Sequence, residues 1–366
     1  MSKTINTRLA IGLVLGLALA CDGAETAAMF LGANSCASSS CHGGGGAKQD
    51  QFLVWSLKDF HSQRPPATLA TARSKQIADA LEIKDPSTDS RCTICHAPLN
   101  SVPDNVRGQD FKVSEGVSCE SCHGPAENWL RAHTRKDYTL ADRTTAGMRD
   151  LQNLYVRANT CVACHQNVDP DILKAGHPEL IFELDGQSVA EPKHWSAEKN
   201  GNGAQAWLVG QAVALREMSW LARREQKSDP RVDGLFPIIF RANQVDGRLP
   251  ALPDNLTTEQ WSDKVASAAA SLIWSDDLTK KYLSLLANDS AVFRDGSASQ
   301  PLQARRAERL VLALDRLVAA LPELKNNVPV QSALNQLFKL AQSVPDFDAK
   351  RFADALQTFS VALGAH

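Results

Sequence analysis

The chain has 366 residues, with 39 Lys and Arg against 41 Asp and Glu, a net charge of −2, and 43% hydrophobic residues. This balance lacks the basic excess on which nucleic-acid binding draws, and nothing else in the composition favours nucleic acid. What stands out is nine cysteines and nine histidines, gathered largely in one half of the chain.

At the N-terminus Lys3 and Arg8 precede an apolar run from Leu9 to Ala20, the form of a secretory signal over residues 1–20. The run is too short to span a bilayer as a helix. Ala18 and Ala20 are the small residues that a signal peptidase reads, so the mature chain is expected to begin at Cys21 and to work in the periplasm or elsewhere outside the cytoplasm. A cysteine at that point also resembles the lipid acceptor of bacterial lipoproteins, although Ala18 stands where those signals usually carry Leu. A lipid on Cys21 would anchor the protein to a membrane.

The other eight cysteines form four pairs, each followed directly by histidine: Cys36, Cys41, His42; Cys92, Cys95, His96; Cys119, Cys122, His123; and Cys161, Cys164, His165. The last three have the spacing CxxCH. On one turn of helix residues i, i+3 and i+4 share a face, so both thiols can add to the vinyl groups of one haem while the imidazole reaches its iron. The first pair is wider, with four residues between its cysteines, a variant in which the extra residues loop out. A disulfide framework or a pair of zinc sites would not require histidine after every second cysteine. The pattern predicts four covalent haems c.

An electron-transfer haem usually takes a second axial ligand. Once the motif histidines and the C-terminal His366 are set aside, His61, His133, His177 and His194 remain, one for each iron. Each could also be an ordinary core or surface histidine, and spacing does not pair them with motifs. Met148 is the competing ligand. Two histidines on iron give a lower potential than histidine with methionine, so low potentials are expected. Loss of Lys3 and Arg8 with the signal takes the net charge from −2 to −4. Four ferric haems take it to roughly −8, which suits redox partner proteins with basic patches.

All four motifs and the four further histidines lie between Cys36 and His194, where Gly, Pro, Asp and Ser are frequent. About forty residues per macrocycle make a poor core alone, so the porphyrins are expected to form it. The Gly-rich stretch 196–203 is the expected linker, dividing a tetrahaem cytochrome c domain at 21–195 from a helical domain without haem at 196–366. Beyond it Leu208, Ala212, Leu215, Met218 and Ala222 recur at helical spacing, as do Leu310, Leu314, Leu317 and Leu321, and Phe352, Leu356, Phe359 and Leu363. Thr257 with Gln260 offers a capping box, and Pro301 suits a first helical turn. Four or five helices in a bundle are predicted. The stretch from Asp229 to Asn255, with Pro230, Pro237, Pro250 and Pro253, reads as irregular: either a docking loop, or a connector with Phe236, Ile238, Ile239 and Phe240 inserted in the core. The fold class expected is mainly α, a loop-rich multihaem cytochrome c domain followed by a helical bundle.

The segment Gly116-Val117-Ser118-Cys119-Glu120-Ser121-Cys122-His123-Gly124-Pro125 resembles the corresponding motif of the cytochrome c-554 family, tetrahaem proteins that take electrons from hydroxylamine oxidoreductase. The glutamate between the cysteines and the Gly-Pro after the histidine set it apart from a bare haem motif. The order of four motifs and the early His61 also agree, over about Ser35 to Trp195. The resemblance implies a helical, loop-rich fold with closely packed haem pairs, and periplasmic electron transfer. Two features depart from the family: the wide first motif, and a histidine supply that could saturate every iron where the family leaves one haem without a protein distal ligand. The helical part after residue 196 has no counterpart, so the family's partner does not carry over.

The expected function is electron transfer, because doubly ligated irons change oxidation state with little rearrangement and offer no position to a substrate. The alternative is a multihaem reductase or oxidase of a small nitrogen or sulfur compound. That requires one distal histidine to be off iron, with Arg131, His133 and Arg135 as pocket candidates. A third reading makes the helical domain a dock to a membrane or periplasmic complex.

Overall fold

The computed structural model describes residues 27–46, 49–195, 202–343 and 345–364. The signal at 1–20, Cys21, residues 196–201 of the expected linker and His366 lie outside the described residues. The described chain is mainly α, with no strand and one isolated bridge between Phe30 and Arg107. No helix among the described residues is long and apolar enough to cross a membrane.

Up to residue 195 the α-helices are short, from 5 residues at Cys119–His123 to 12 at Leu154–His165. Local side chains start many of them. Asp59, Thr71, Asp89, Asn153, Asp169 and Glu183 each accept hydrogen bonds from first-turn N–H groups that have no partner within the helix. Apolar packing is sparse here: the contiguous hydrophobic core begins at Leu154 and ends at Phe359.

That core surrounds the helix Gly203–Glu225, in which every residue from Ala204 to Leu215 is buried. It packs on Thr258–Ala270, Leu154–His165, Leu184–Ala190 and Pro230–Asn243. At Gly210 a Cβ would stand 2.6 Å from that of Leu184, so only glycine permits this approach. Leu154, Ala158 and Val162 of the fourth-motif helix, with Phe182 and Leu184, belong to the same core. The helices after residue 203 are therefore built directly onto the element that carries Cys161, Cys164 and His165.

The predicted apolar faces are buried at Leu208, Ala212, Leu215, Met218, Leu310, Leu314, Leu317, Leu321, Phe352, Leu356 and Phe359. Thr257 and Gln260 form the reciprocal cap, and Pro301 lies in the first turn of Gln300–Ala319. Two expectations are corrected. Nine helices, not four or five, follow residue 202 among the described residues, because side-chain caps at Ser275, Asn327 and Asp348 restart the chain after short breaks. The stretch read as irregular contains the helix Pro230–Asn243. Pro230 occupies its first turn, where no N–H is needed, and Asp229 caps it. Pro237 is tolerated inside, because burial of Ile238 and Ile239 and the contacts of Phe236 and Phe240 with Trp261 offset one lost hydrogen bond.

Glu183 gives this core a pH dependence. Its carboxylate accepts from Asp185 N–H at 3.0 Å and Gly186 N–H at 2.5 Å, and burial pushes it up to about 7, against 4.5 ordinarily. The folded chain thus holds this proton more tightly than the unfolded chain. The associated stability is full below the ordinary value and is lost as pH rises through about 7. Glu183→Gln is expected to flatten the fall in unfolding free energy, read by urea titration, between about pH 5 and about pH 8, by on the order of 2–3 kcal/mol.

Candidate functional site

Three motifs sit on helical turns. Cys92, Cys95 and His96 occupy Ser90–His96, started by Asp89. Cys119, Cys122 and His123 occupy Cys119–His123, capped reciprocally by Ser118 and Ser121. Cys161, Cys164 and His165 end Leu154–His165. In the wide first motif, His42 N–H donates to Cys36 O at 3.2 Å and Cys41 N–H to Ser38 O at 2.9 Å, so the extra residues loop out.

The segment leading into the first motif is pinned by glutamates. Glu120, 1% exposed, accepts from the N–H groups of Leu31, Gly32 and Ala126 at 2.9, 2.7 and 2.7 Å. Glu115 accepts from Ala33 N–H, and Glu127 from Met29 N–H at 2.7 Å. Gly32 has φ +91°, and a Cβ there would meet Asp110 O at 2.4 Å. These bonds bring the first motif onto the third. Accordingly the Cys119 thiol lies near enough to hold that of Cys36 below its ordinary value, and the Cys164 thiol does the same to that of Cys95. The motifs are thus coupled first with third and second with fourth. Burial pushes the Cys122 thiol up to about 12 and that of Cys161 to about 11. Glu120→Ala would strand three N–H groups at ~1–3 kcal/mol each, and a drop of at least ~3 kcal/mol in holoprotein stability is expected from urea titration, with Glu120→Gln intermediate.

The histidines meet in pairs. Ring centres lie 6.1 Å apart for His42 and His133, 6.0 Å for His61 and His165, and 6.4 Å for His96 and His177. Each pair joins one motif histidine to one of the four others. The remaining motif histidine, His123, is lowered to about 4 by desolvation, and His194 is the strongest of the charges acting on it. With metal–imidazole bonds of about 2 Å, two imidazoles on opposite faces of one ion stand about 6 Å apart, centre to centre.

The ring nitrogens agree with this arrangement. Nδ1 faces Gln51 Oε1 in His42, Asp59 in His61, Pro65 O and Thr68 Oγ1 in His96, Trp129 O in His133 and Pro178 O in His177, at 2.8–3.2 Å. Nε2 is then the nitrogen left for a metal. Among the described residues no set of thiols and imidazoles closes on one point as a zinc site requires. The donor set fits haem c.

Sequence reasoning missed the surroundings of His61. Asp59, with its side chain 2% exposed, accepts from His61 N–H at 2.8 Å and from Nδ1 at 3.1 Å, and Glu191 lies 3.9 Å from Nδ1. Burial and the charge of Asp59 push Glu191 up to about 7. The helix-capping position of Asp59 is a visible signal in the sequence; nothing local marks Glu191. Of the basic residues near His133, Arg135 is turned to Asp137 on the exposed surface. Clefts of about 500 and 310 Å³ lie elsewhere, the first between the fourth-motif helix and the helices after residue 203, lined by Tyr155, Arg248, Asp263 and Lys264, the second by Phe236, Pro237 and Arg306.

Residues 35–124, which hold the first three motifs, match the family model described as cytochrome c554 and c-prime. No curated protein and no solved structure matches the chain. The matched segment contains Glu115 and Glu120, two of the glutamates that pin the approach to the first motif, and it ends one residue after His123. Over this segment the chain is similar to the cytochrome c554 family, whose chemistry is electron transfer by covalently bound haem c.

Proposed function

We propose that the protein is a periplasmic tetrahaem electron carrier in which every iron lies between two histidines. The haem of Cys36 and Cys41 takes His42 and His133; that of Cys92 and Cys95 takes His96 and His177; that of Cys119 and Cys122 takes His123 and His194; that of Cys161 and Cys164 takes His165 and His61. The observation that carries this reading is the one-to-one meeting of motif and non-motif histidines at 6.0–6.4 Å in three of the four cases. Bound haem supplies a one-electron couple at each site. The thiols fix the group, the imidazoles exclude a substrate from the iron, and Nδ1 acceptors hold the rings of His42, His61, His96, His133 and His177 in place. The influence of Cys119 on the Cys36 thiol and of Cys164 on the Cys95 thiol supports two close haem pairs.

The export signal at 1–20 supports the periplasm, and a lipid on Cys21 would add a membrane tether. The haem-binding part at 21–195 and the helical part at 196–366 share the helix Leu154–His165, so the helical part is placed to orient the fourth haem toward a redox partner. The test is haem stoichiometry on the purified protein with carbon monoxide added after dithionite reduction. Four haems and an unchanged spectrum are expected. Fewer haems would remove the tetrahaem count, and a carbon monoxide adduct on one haem in four would overturn double ligation in favour of an open, reactive iron.

A further inference from the structure

We propose that Asp59 makes the haem of Cys161, Cys164 and His165 the lowest in potential of the four, by holding the Nδ1 proton of its distal histidine, His61. The inference rests on the ligand pairing proposed above. The acceptors at Nδ1 differ among the histidines: a Gln51 amide oxygen at His42, the carbonyls of Pro65, Trp129 and Pro178 and the Thr68 hydroxyl at His96, His133 and His177. At His61 the acceptor is a carboxylate.

Two effects then act in the same direction. A carboxylate on Nδ1–H makes the imidazole a stronger electron donor through Nε2, and its negative charge stands close to the iron position. Both favour the ferric state over the ferrous state, which lowers the potential. Water screens this charge little, because the Asp59 side chain is 2% exposed. Nor is the carboxylate free to turn away. Asp59 caps the helix Phe60–Thr68 through His61 N–H at 2.8 Å, so one residue fixes both the backbone and the ring of the ligand. Asp59 is therefore a positioning and tuning residue that acts through its contact with His61.

The decisive variant is Asp59→Asn, which keeps the helix cap and the shape but removes the charge. In a potentiometric titration of the holoprotein, the ferrous-to-ferric ratio of the lowest-potential haem at fixed potential is expected to rise about tenfold, about 59 mV for a one-electron couple, with the other three unmoved. Asp59→Glu, which retains the charge, is expected to stay near the native titration. An unmoved lowest potential would overturn the proposal. So would a carbon monoxide-binding or high-spin haem in Asp59→Asn, since Asp59 would then only keep His61 in place. His61→Met separates this from failure of the pairing itself: it should give one haem the absorption signature of histidine–methionine ligation. If it leaves all four spectra unchanged, His61 is not a ligand.

Discussion

A chain ending at Trp195 is expected to retain its covalently attached haems but to bind carbon monoxide at the haem of Cys161 and Cys164. The helix that carries this motif buries Leu154, Ala158 and Val162 against helices that the truncation removes, and Phe182 and Leu184 lie in the same core. Uncovering the four larger side chains costs ~1.5–3 kcal/mol each, a sum comparable with the ~5–15 kcal/mol that holds a whole domain together. Polar ties go with them: Tyr155 OH donates to Asp263 at 2.7 Å, Arg216 to Asn159 Oδ1 at 2.6 Å, and Asn167 to Glu217 O at 2.9 Å. Helix Leu154–His165 would lose the packing that sets His165 opposite His61, while the first and third motifs, pinned by Glu120, stand apart from this core. The measurement is the fraction of haem that forms an adduct after reduction. A truncated protein with no adduct and a native low-spin spectrum would show that the helical part is only an appendage.

That dependence is invisible to a reading based on composition. Apart from the C-terminal His366 the cysteines and histidines stop near residue 194, and a boundary drawn where the chemistry stops falls inside a continuous hydrophobic core. Local features fared better. The CxxCH spacing is a statement about one helical turn, and three of the motifs lie on such turns. The apolar faces around Leu208, Leu310 and Phe352 follow the helical repeat and are buried. The capping box at Thr257 is equally local.

Non-local features could not be read in the same way. His42 meets His133, and His61 meets His165, through tertiary contacts that leave no periodic trace. Glu120 is conspicuous between its cysteines, yet its partners Leu31 and Gly32 lie 89 and 88 positions away. Pro230–Asn243 fails for the opposite reason: its prolines are local breakers, and the burial that overrides them is tertiary. Haem chemistry is thus written in short spacings, and the architecture that distinguishes one haem from another is written in long contacts.

His133→Ala is expected to open the iron of the first motif and no other. The His133 ring stands 6.1 Å from that of His42, edge-on to Trp129 at 5.5 Å, with Nδ1 on Trp129 O at 3.2 Å. The residue is only half-buried on a short 3₁₀ turn, Ala132–Thr134, so its loss as packing should cost on the order of 1 kcal/mol, while its loss as a ligand is complete. One haem in four should then bind carbon monoxide. His133→Met should instead keep that haem low-spin and raise its potential by on the order of 0.1 V, because axial-ligand identity is the strongest lever on haem potential. The wide Cys36–Cys41 loop makes the altered site identifiable, since a haem peptide released by proteolysis would carry that spacing. An adduct on another motif would break the pairing of His42 with His133, and no adduct at all would return His133 to the role of a core histidine beside Trp129. Because His61, His133 and His177 each meet a different motif histidine and His194 is the one left for His123, the same experiment on His61, His177 and His194 should open the remaining irons one at a time.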